Sequence, residues 1–289
     1  MTDATTNPAP TRRRGTARGT RLGGVATHLV LVLGAVLMAF PFVWQLLTAL
    51  KSQAEAMTVP VRLLPQEWLW ENVARVFEVL PFAEQLGVST VVAIARTVGQ
   101  LALCSLAAYA FARLEFRGRE LIFALFLSVL MVPSQLLILP QYQIIVSLGL
   151  LNTVGALILP GLFSAFGTFL LRQFFLGLPR EMEEAALLDG ASRWRIYWNI
   201  MLPLVKPALA ALAVITLMNS WNDLLWPLVV NTDPTVMPIS AGLTTLQGQF
   251  STDYPVLMAG SLLASLPMLV VFILLQRQFV QGIALSGSK

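Results

Sequence analysis

Apolar residues along this chain neither alternate with polar ones nor recur as a single helical stripe; they gather in long runs separated by short polar connections. An α-helix rises about 1.5 Å per residue, so roughly 20 apolar residues cross a hydrocarbon core about 30 Å thick. Six runs reach that length: 26–47, 85–111, 121–145, 153–171, 207–230 and 255–275. The pattern predicts an all-α membrane protein of six transmembrane helices. It leaves residues 1–25 as a basic tail with Thr, Pro and Gly, expected to be disordered, before one membrane domain over 26–289.

A polar island inside that domain covers about 177–206. Gly177-Leu178-Pro179 breaks the preceding apolar run, and Pro179 suits the start of a new helix because its missing N–H has no partner there anyway. A short helix is predicted from Arg180. Glu181, Glu183 and Glu184 lie in its first turns and Arg193 and Arg195 follow it, the order that a helix dipole favours. Gly190 fits the C-terminal cap, Ser192 the N-cap of a second short helix, and Pro203 and Pro207 its end. The small residues Ala185 and Ala186 would let another protein surface approach closely. The plain alternative is an amphipathic connector between two membrane helices.

Composition and charge set the environment. Hydrophobic residues make up 56% and charged residues 12%, against about 25% charged in soluble domains, so the chain belongs in a bilayer. With both termini in the cytosol, fifteen Lys and Arg fall in cytosolic segments: Arg12, Arg13, Arg14, Arg18, Arg21, Arg113, Arg117, Arg119, Arg172, Arg180, Arg193, Arg195, Lys206, Arg277 and Lys289. Only Lys51, Arg62 and Arg75 fall outside. This asymmetry follows the positive-inside rule and places the 177–206 island in the cytosol. The net charge of +4 therefore reads as topology and contact with anionic membrane lipid, not nucleic-acid binding. A cleaved signal peptide competes for the first fifty residues, because Ala54-Glu55-Ala56 has a small-x-small form, but the apolar run is too long for it. The outward connection 51–84 carries Trp68, Trp70 and five carboxylates. It suits either a docking surface for an external protein or a cap at the membrane edge.

Polar residues inside the runs are costly, and so informative. Thr216, Asn219, Asn222, Asp223 and Trp226 recur at steps of three and four, which one helical face would share. Arg96 lies about ten residues into the second run; a lone arginine at mid-membrane costs about 2.5–3.5 kcal/mol. Asp223 is the one carboxylate within the spans, so Arg96 and Asp223 are expected to pair or to line one cavity. Amides, a carboxylate and aromatic faces are also what a sugar needs, and Gln135 and Tyr142 in the third run can join Asn219, Asn222, Asp223 and Trp226 along such a pathway. The competing role for each residue is a hydrogen bond between helices, worth about 0.6 kcal/mol. Pro133, Pro140, Pro227 and Pro267 are expected to kink their spans.

Absences narrow the chemistry. The chain has no G-x-x-x-x-G-K-[ST] loop for ATP phosphates, and His28 is its only histidine, so neither a zinc site of the H-E-x-x-H kind nor a histidine triad can be built. Cys104 is alone and within a span, with an inert apolar thiol expected. A secondary transporter would carry its own ion-coupling groups and internal symmetry, neither of which the sequence offers.

Glu184-Ala185-Ala186-Leu187-Leu188-Asp189-Gly190, with Ile200-Met201-Leu202-Pro203, resembles the EAA loop of the permease subunits of bacterial ABC importers. Ala107 to Arg113 with Phe116 and Gly118, Leu148 to Thr153, Trp221-Asn222 with Trp226-Pro227-Leu228, and Gln276 to Lys289 with Phe279, Gly282 and Gly287 are similar to the carbohydrate-type branch, related to the maltose and glycerol-3-phosphate uptake systems. The resemblance implies the ABC importer type I permease fold, with Glu184, Ala185, Ala186, Asp189, Gly190 and Pro203 in the ATPase-coupling element. It implies a non-catalytic subunit in the bacterial cytoplasmic membrane. Its partners would be a second permease subunit, two ATP-binding subunits and an extracytoplasmic solute-binding protein. ATP and Mg would sit on the partner ATPase and no cofactor on this chain. The substrate would be a sugar, or alternatively a polyol or glycerol-phosphate-type solute.

Overall fold

The computed structural model describes the backbone of residues 19–248 and 252–287 and side chains over 27–248 and 252–274. Arg12, Arg13, Arg14, Arg18 and Lys289 lie outside the described residues. Among the described residues there is no β-strand, only an isolated bridge between Gln247 and Thr252. The described residues begin with α1 (Gly19–Ala49), followed by α2 (Glu71–Val79) and α3 (Phe82–Arg113). Because α1 begins at Gly19, residues 19–25 continue the first helix rather than belonging to the tail.

Three helices are each long and apolar enough to cross a membrane: Thr27–Ala49, Phe82–Arg113 and Tyr254–Leu274. The other three apolar runs are bent. α4 (Arg119–Ser128) and α5 (Ile138–Ser147) are the ends of a pair that turns by 100° between Met131 and Ser134. α6 (Val154–Ile158) and α7 (Ala165–Leu176) flank a 40° break. After α8 (Glu181–Leu188) and α9 (Arg193–Ile196) the chain stays helical to Leu204, through a π-helical turn at Tyr197–Met201, and bends by 76° into α10 (Lys206–Trp221). α11 (Leu225–Val230), α12 (Ile239–Gly242) and the long α13 (Tyr254–Gly287) complete the chain. Among the described residues, length and composition thus allow three crossings, or up to six if each bent pair is one span.

The breaks correct the expected proline kinks. Pro133 sits at the 100° turn, but Pro140 and Pro227 occupy the first turns of α5 and α11, where the missing N–H costs little, and α13 runs through Pro267. Pro160, in the turn before α7, lies at the 40° break instead. Pro203 does not end the second short helix either; the turn falls at Val205, before Pro207.

α3 is the axis of the bundle, packed along α7 and α10. At its Phe82 end, the connection from α1 is held by Lys51, whose side chain is buried with Nζ donating to the Arg62 carbonyl at 2.5 Å and lying over the Trp44 ring. Asn72 Nδ2 bridges the Ala49 and Lys51 carbonyls. Trp68 and Trp70 stay exposed. Ser89 Oγ and Gln85 Nε2 hold the chain around α12 onto the same end, by accepting from the Ile239 N–H and donating to the Pro234 carbonyl.

Candidate functional site

The first candidate site lies where the broken segments 154–176 and 206–230 meet α3. A proline at 160 cannot donate to the carbonyl four residues earlier, so the break leaves carbonyls that need donors from elsewhere. Three side chains supply them. Trp226 Nε1 donates to the Ala156 carbonyl at 3.0 Å, Arg96 Nε to Leu157 at 2.7 Å and Gln100 Nε2 to Gly161 at 2.8 Å. Gly161 is required there: a Cβ on it would stand 2.4 Å from Arg96 Nε. Gln100 Oε1 in turn accepts from Thr216 Oγ1 at 2.8 Å.

Arg96 and Asp223 come together, with Nη1 at 2.8 Å from Oδ2. The arginine side chain is 9% exposed and the aspartate 24%, so the carboxylate faces open space while its partner is enclosed. That space is a cavity of about 460 Å³ lined by Arg96, Gln100, Ser164, Thr216, Asn219 and Asp223 among others. Irregular backbone inside a membrane bundle is tolerated where it lines such a cavity.

The predicted five-residue stripe is only partly realised. α10 ends at Trp221, so the helical spacing does not carry through to Trp226. Thr216, Asn219 and Asp223 line the cavity. Asn222 is exposed and bonded to the Met218 carbonyl, and Trp226 is buried in an apolar cluster with Val92, Ile145 and Leu157. Trp226 therefore serves the helix break instead of offering a face to solute. Gln135 and Tyr142 do not line this cavity: Gln135 is exposed beside Ser134, and Tyr142 packs against the Trp226 cluster. The sequence reading missed Gln100, although its place one turn after Arg96 was a usable signal.

The second candidate site is the helical elbow at the Arg113 end of α3. Gly190 has φ +78° and closes α8, with the Ala191 N–H donating to the Ala186 carbonyl at 2.9 Å. Ser192 Oγ accepts from the Arg195 N–H and starts α9. Glu184, Ala185 and Asp189 are exposed and Leu188 projects with 90% of its surface free. Ala186 instead packs inward on the cluster of Tyr109, Phe175, Ile196 and Tyr197. Two attachments tie the elbow to α3. Tyr197 Oη and Ser105 Oγ share a hydrogen bond of 2.7 Å, and Arg113 reaches the carbonyls of Phe175 and Leu178 and the carboxylate of Glu183. Burial pushes the Glu183 pKa above the ordinary glutamate range, against the opposing pull of Arg113, Arg193 and Arg180. Sequence reasoning named Glu184 and passed over Glu183, since a run of glutamates in a polar island gives no hint of which one turns inward.

A polar cavity at two helix breaks, with a protruding elbow at the far end of the shared axis, is the layout of a solute-conducting membrane subunit. A crystal structure of a bacterial ABC transporter involved in the import of the acidic polysaccharide alginate has the same fold, with a TM-score of 0.77 at 22% identity, covering 93% of this chain and 99% of that one. The fold is that of an ABC importer type I permease. The family described as binding-protein-dependent transport system inner membrane component matches residues 100–284, and this chain belongs to it. Among its relatives, an arabinooligosaccharides transport system permease protein of Halalkalibacterium halodurans is 36% identical over 258 residues, covering 88% of this chain and 92% of the relative. An sn-glycerol-3-phosphate transport system permease protein of Yersinia pestis is 37% identical over 264 residues, covering 89% and 94%.

Proposed function

We propose that this chain forms half of the translocation pathway of an ATP-driven importer of carbohydrates in the bacterial cytoplasmic membrane. In this reading the six apolar runs are six spans and both termini face the cytosol. The chain pairs with a second permease subunit, one of two ATP-binding subunits receives the elbow at Glu184, Ala185, Asp189 and Gly190 in a cleft, with Ala186 packed beneath it, and a solute-binding protein docks on the opposite face. Import then proceeds by alternating access. ATP binding favours one arrangement of the bundle and hydrolysis the other, each through differential contacts with the ATPase pair.

The observation that carries the reading is the cavity of α3, α7 and α10, which presents hydroxyl, amide, carboxylate and guanidinium groups beside the apolar Phe166, Leu212 and Ile215. Such groups exchange hydrogen bonds with sugar hydroxyls. The similarity to a glycerol-3-phosphate permease supports a second reading with an anionic solute. The charge of the cavity favours the first: the guanidinium of Arg96 is already matched by Asp223 at 2.8 Å, which leaves no net positive charge for a phosphate. Uptake of labelled arabino-oligosaccharide and of glycerol 3-phosphate by cells with and without this gene separates the two. Gene-dependent, ATP-dependent oligosaccharide uptake is expected; gene-dependent uptake of the phosphate alone would reverse the choice.

A further inference from the structure

We propose that Arg113 is the positioning residue through which displacement of the elbow reaches the cavity, with Glu183 as its counterpart. The inference rests on the importer reading above. Arg113 is the last residue of α3, yet its side chain is only 3% exposed. Its Nη2 donates to the Phe175 carbonyl and, at 2.6 Å, to the Leu178 carbonyl, which are the final turn of α7 and the residue before Pro179. Its Nε faces Glu183 Oε1, in the first turn of α8, at 3.6 Å. The other Glu183 oxygen lies 3.7 Å from Arg193 Nη1, in α9. The Arg113 guanidinium thus joins the ends of α3 and α7 to the start of α8, and Glu183 extends the contact to α9.

Two features separate this joint from an ordinary stabilising ion pair. Arg113 Nε and Glu183 Oε1 are both buried and neither has a hydrogen-bond partner, so although Nη2 bonds two carbonyls, the contact between the two charges is not closed by a hydrogen bond. Burial also raises the Glu183 pKa despite the arginines beside it, so ionising this carboxyl weakens the fold. A contact of this kind is better suited to shifting between two arrangements than to fixing one. Arg96 and Gln100 project from the same unbroken α3 onto the cavity wall. Arg96 is seventeen residues before Arg113, a separation of about 25 Å along the axis. Movement of the elbow against Arg113 therefore displaces a rod whose far half carries the Arg96–Asp223 pair.

The test uses the complete transporter, with partner permease, ATPase pair and binding protein, in proteoliposomes. Solute imported per ATP hydrolysed is measured per assembled complex for wild type, Arg113→Gln, Glu183→Gln and Arg113→Lys. The ratio is expected to fall about tenfold in Arg113→Gln and in Glu183→Gln, within the usual range of coupling energies. Arg113→Lys keeps the charge without the fork and is expected between them and wild type. A residue that only stabilises the fold lowers the amount of complex and leaves the ratio alone. An unchanged ratio in assembled Arg113→Gln overturns the proposal; if that variant does not assemble, Glu183→Gln decides by the same ratio. Failure of both to assemble marks the joint as a folding element and also overturns it. Absence of ATP-driven import by the wild-type complex is a different result: it removes the importer reading, and the proposal falls with it.

Discussion

The two arginines of α3, Arg96 and Arg113, are both buried, and they are held in different ways. Arg96 makes a 2.8 Å bond to Asp223 and a 2.7 Å bond to the Leu157 carbonyl. Arg113 bonds carbonyls, but its carboxylate stands at 3.6 Å without a hydrogen bond. The first geometry fixes a cavity wall at the break of another helix. The second bonds the end of α7 through carbonyls and reaches the start of α8 by charge alone, with slack in that one contact. One helix thus carries a rigid site and a compliant one, and under the importer reading these are the solute end and the motor end.

The largest effect that sharpens this contrast is expected at the compliant end. Gly190→Trp forces a bulky residue into a left-handed conformation, at a cost of about 1–2 kcal/mol, on a surface with nothing within 4 Å of the added Cβ. It should abolish uptake and coupled ATP hydrolysis while membrane fractionation still finds the protein inserted; Glu184→Lys should act the same way. Wild-type uptake in either variant would sever the elbow from the mechanism. At the rigid end, Arg96→Leu leaves the Leu157 carbonyl unpaired, at about 1–3 kcal/mol, and removes the counter-charge of Asp223, whose side chain is 24% exposed. A sharp fall in melting temperature in detergent is expected, partly recovered when Asp223→Asn is added, because the two sites are coupled.

Trp226→Phe divides the two roles of that residue. Loss of its bond leaves the Ala156 carbonyl unpaired, at about 1–3 kcal/mol, so stability should drop while uptake per folded complex is retained. Lost uptake without lost stability would restore Trp226 to the solute pathway. The smallest effect is a pH dependence at the joint. The folded chain holds the Glu183 proton more tightly than the unfolded chain does, which stabilises the fold at low pH and ceases to do so as pH rises through the raised pKa. Melting curves of Glu183→Gln should therefore gain on wild type as pH rises from the ordinary glutamate range upward, and parallel curves would count against an enclosed carboxylate.

Much of this was legible in the amino-acid sequence for identifiable reasons. Arg96 and Asp223 stood out because a charge in an apolar run demands a partner, and the structure brings them into contact. Gly190 and Ser192 were readable because caps need particular backbone and hydroxyl chemistry. Trp226 misled because helical spacing was extended past Trp221, where the helix stops. Gln135 and Tyr142 misled because Gln135 falls in a 3-10 turn over Ser134–Leu137 and Tyr142 in α5, so an α-helical spacing of seven does not carry from one to the other. Arg113 and Glu183 left no signal. Arginines and glutamates are ordinary at helix ends, and only the tertiary meeting of α3, α7 and α8 turns this pair inward.

The most direct test of the central claim is site-specific cross-linking in cells that express the whole transporter, from cysteines placed at the two ends of the molecule. Leu188 at the elbow is 90% exposed and Leu64 at the opposite end is 66% exposed. The account predicts that Leu188→Cys cross-links to the ATP-binding subunit and reacts only with reagents that enter the cytosol, whereas Leu64→Cys reacts with impermeant reagents outside. An elbow cysteine labelled from outside, or never cross-linked to the ATPase in an assembled complex, would contradict it.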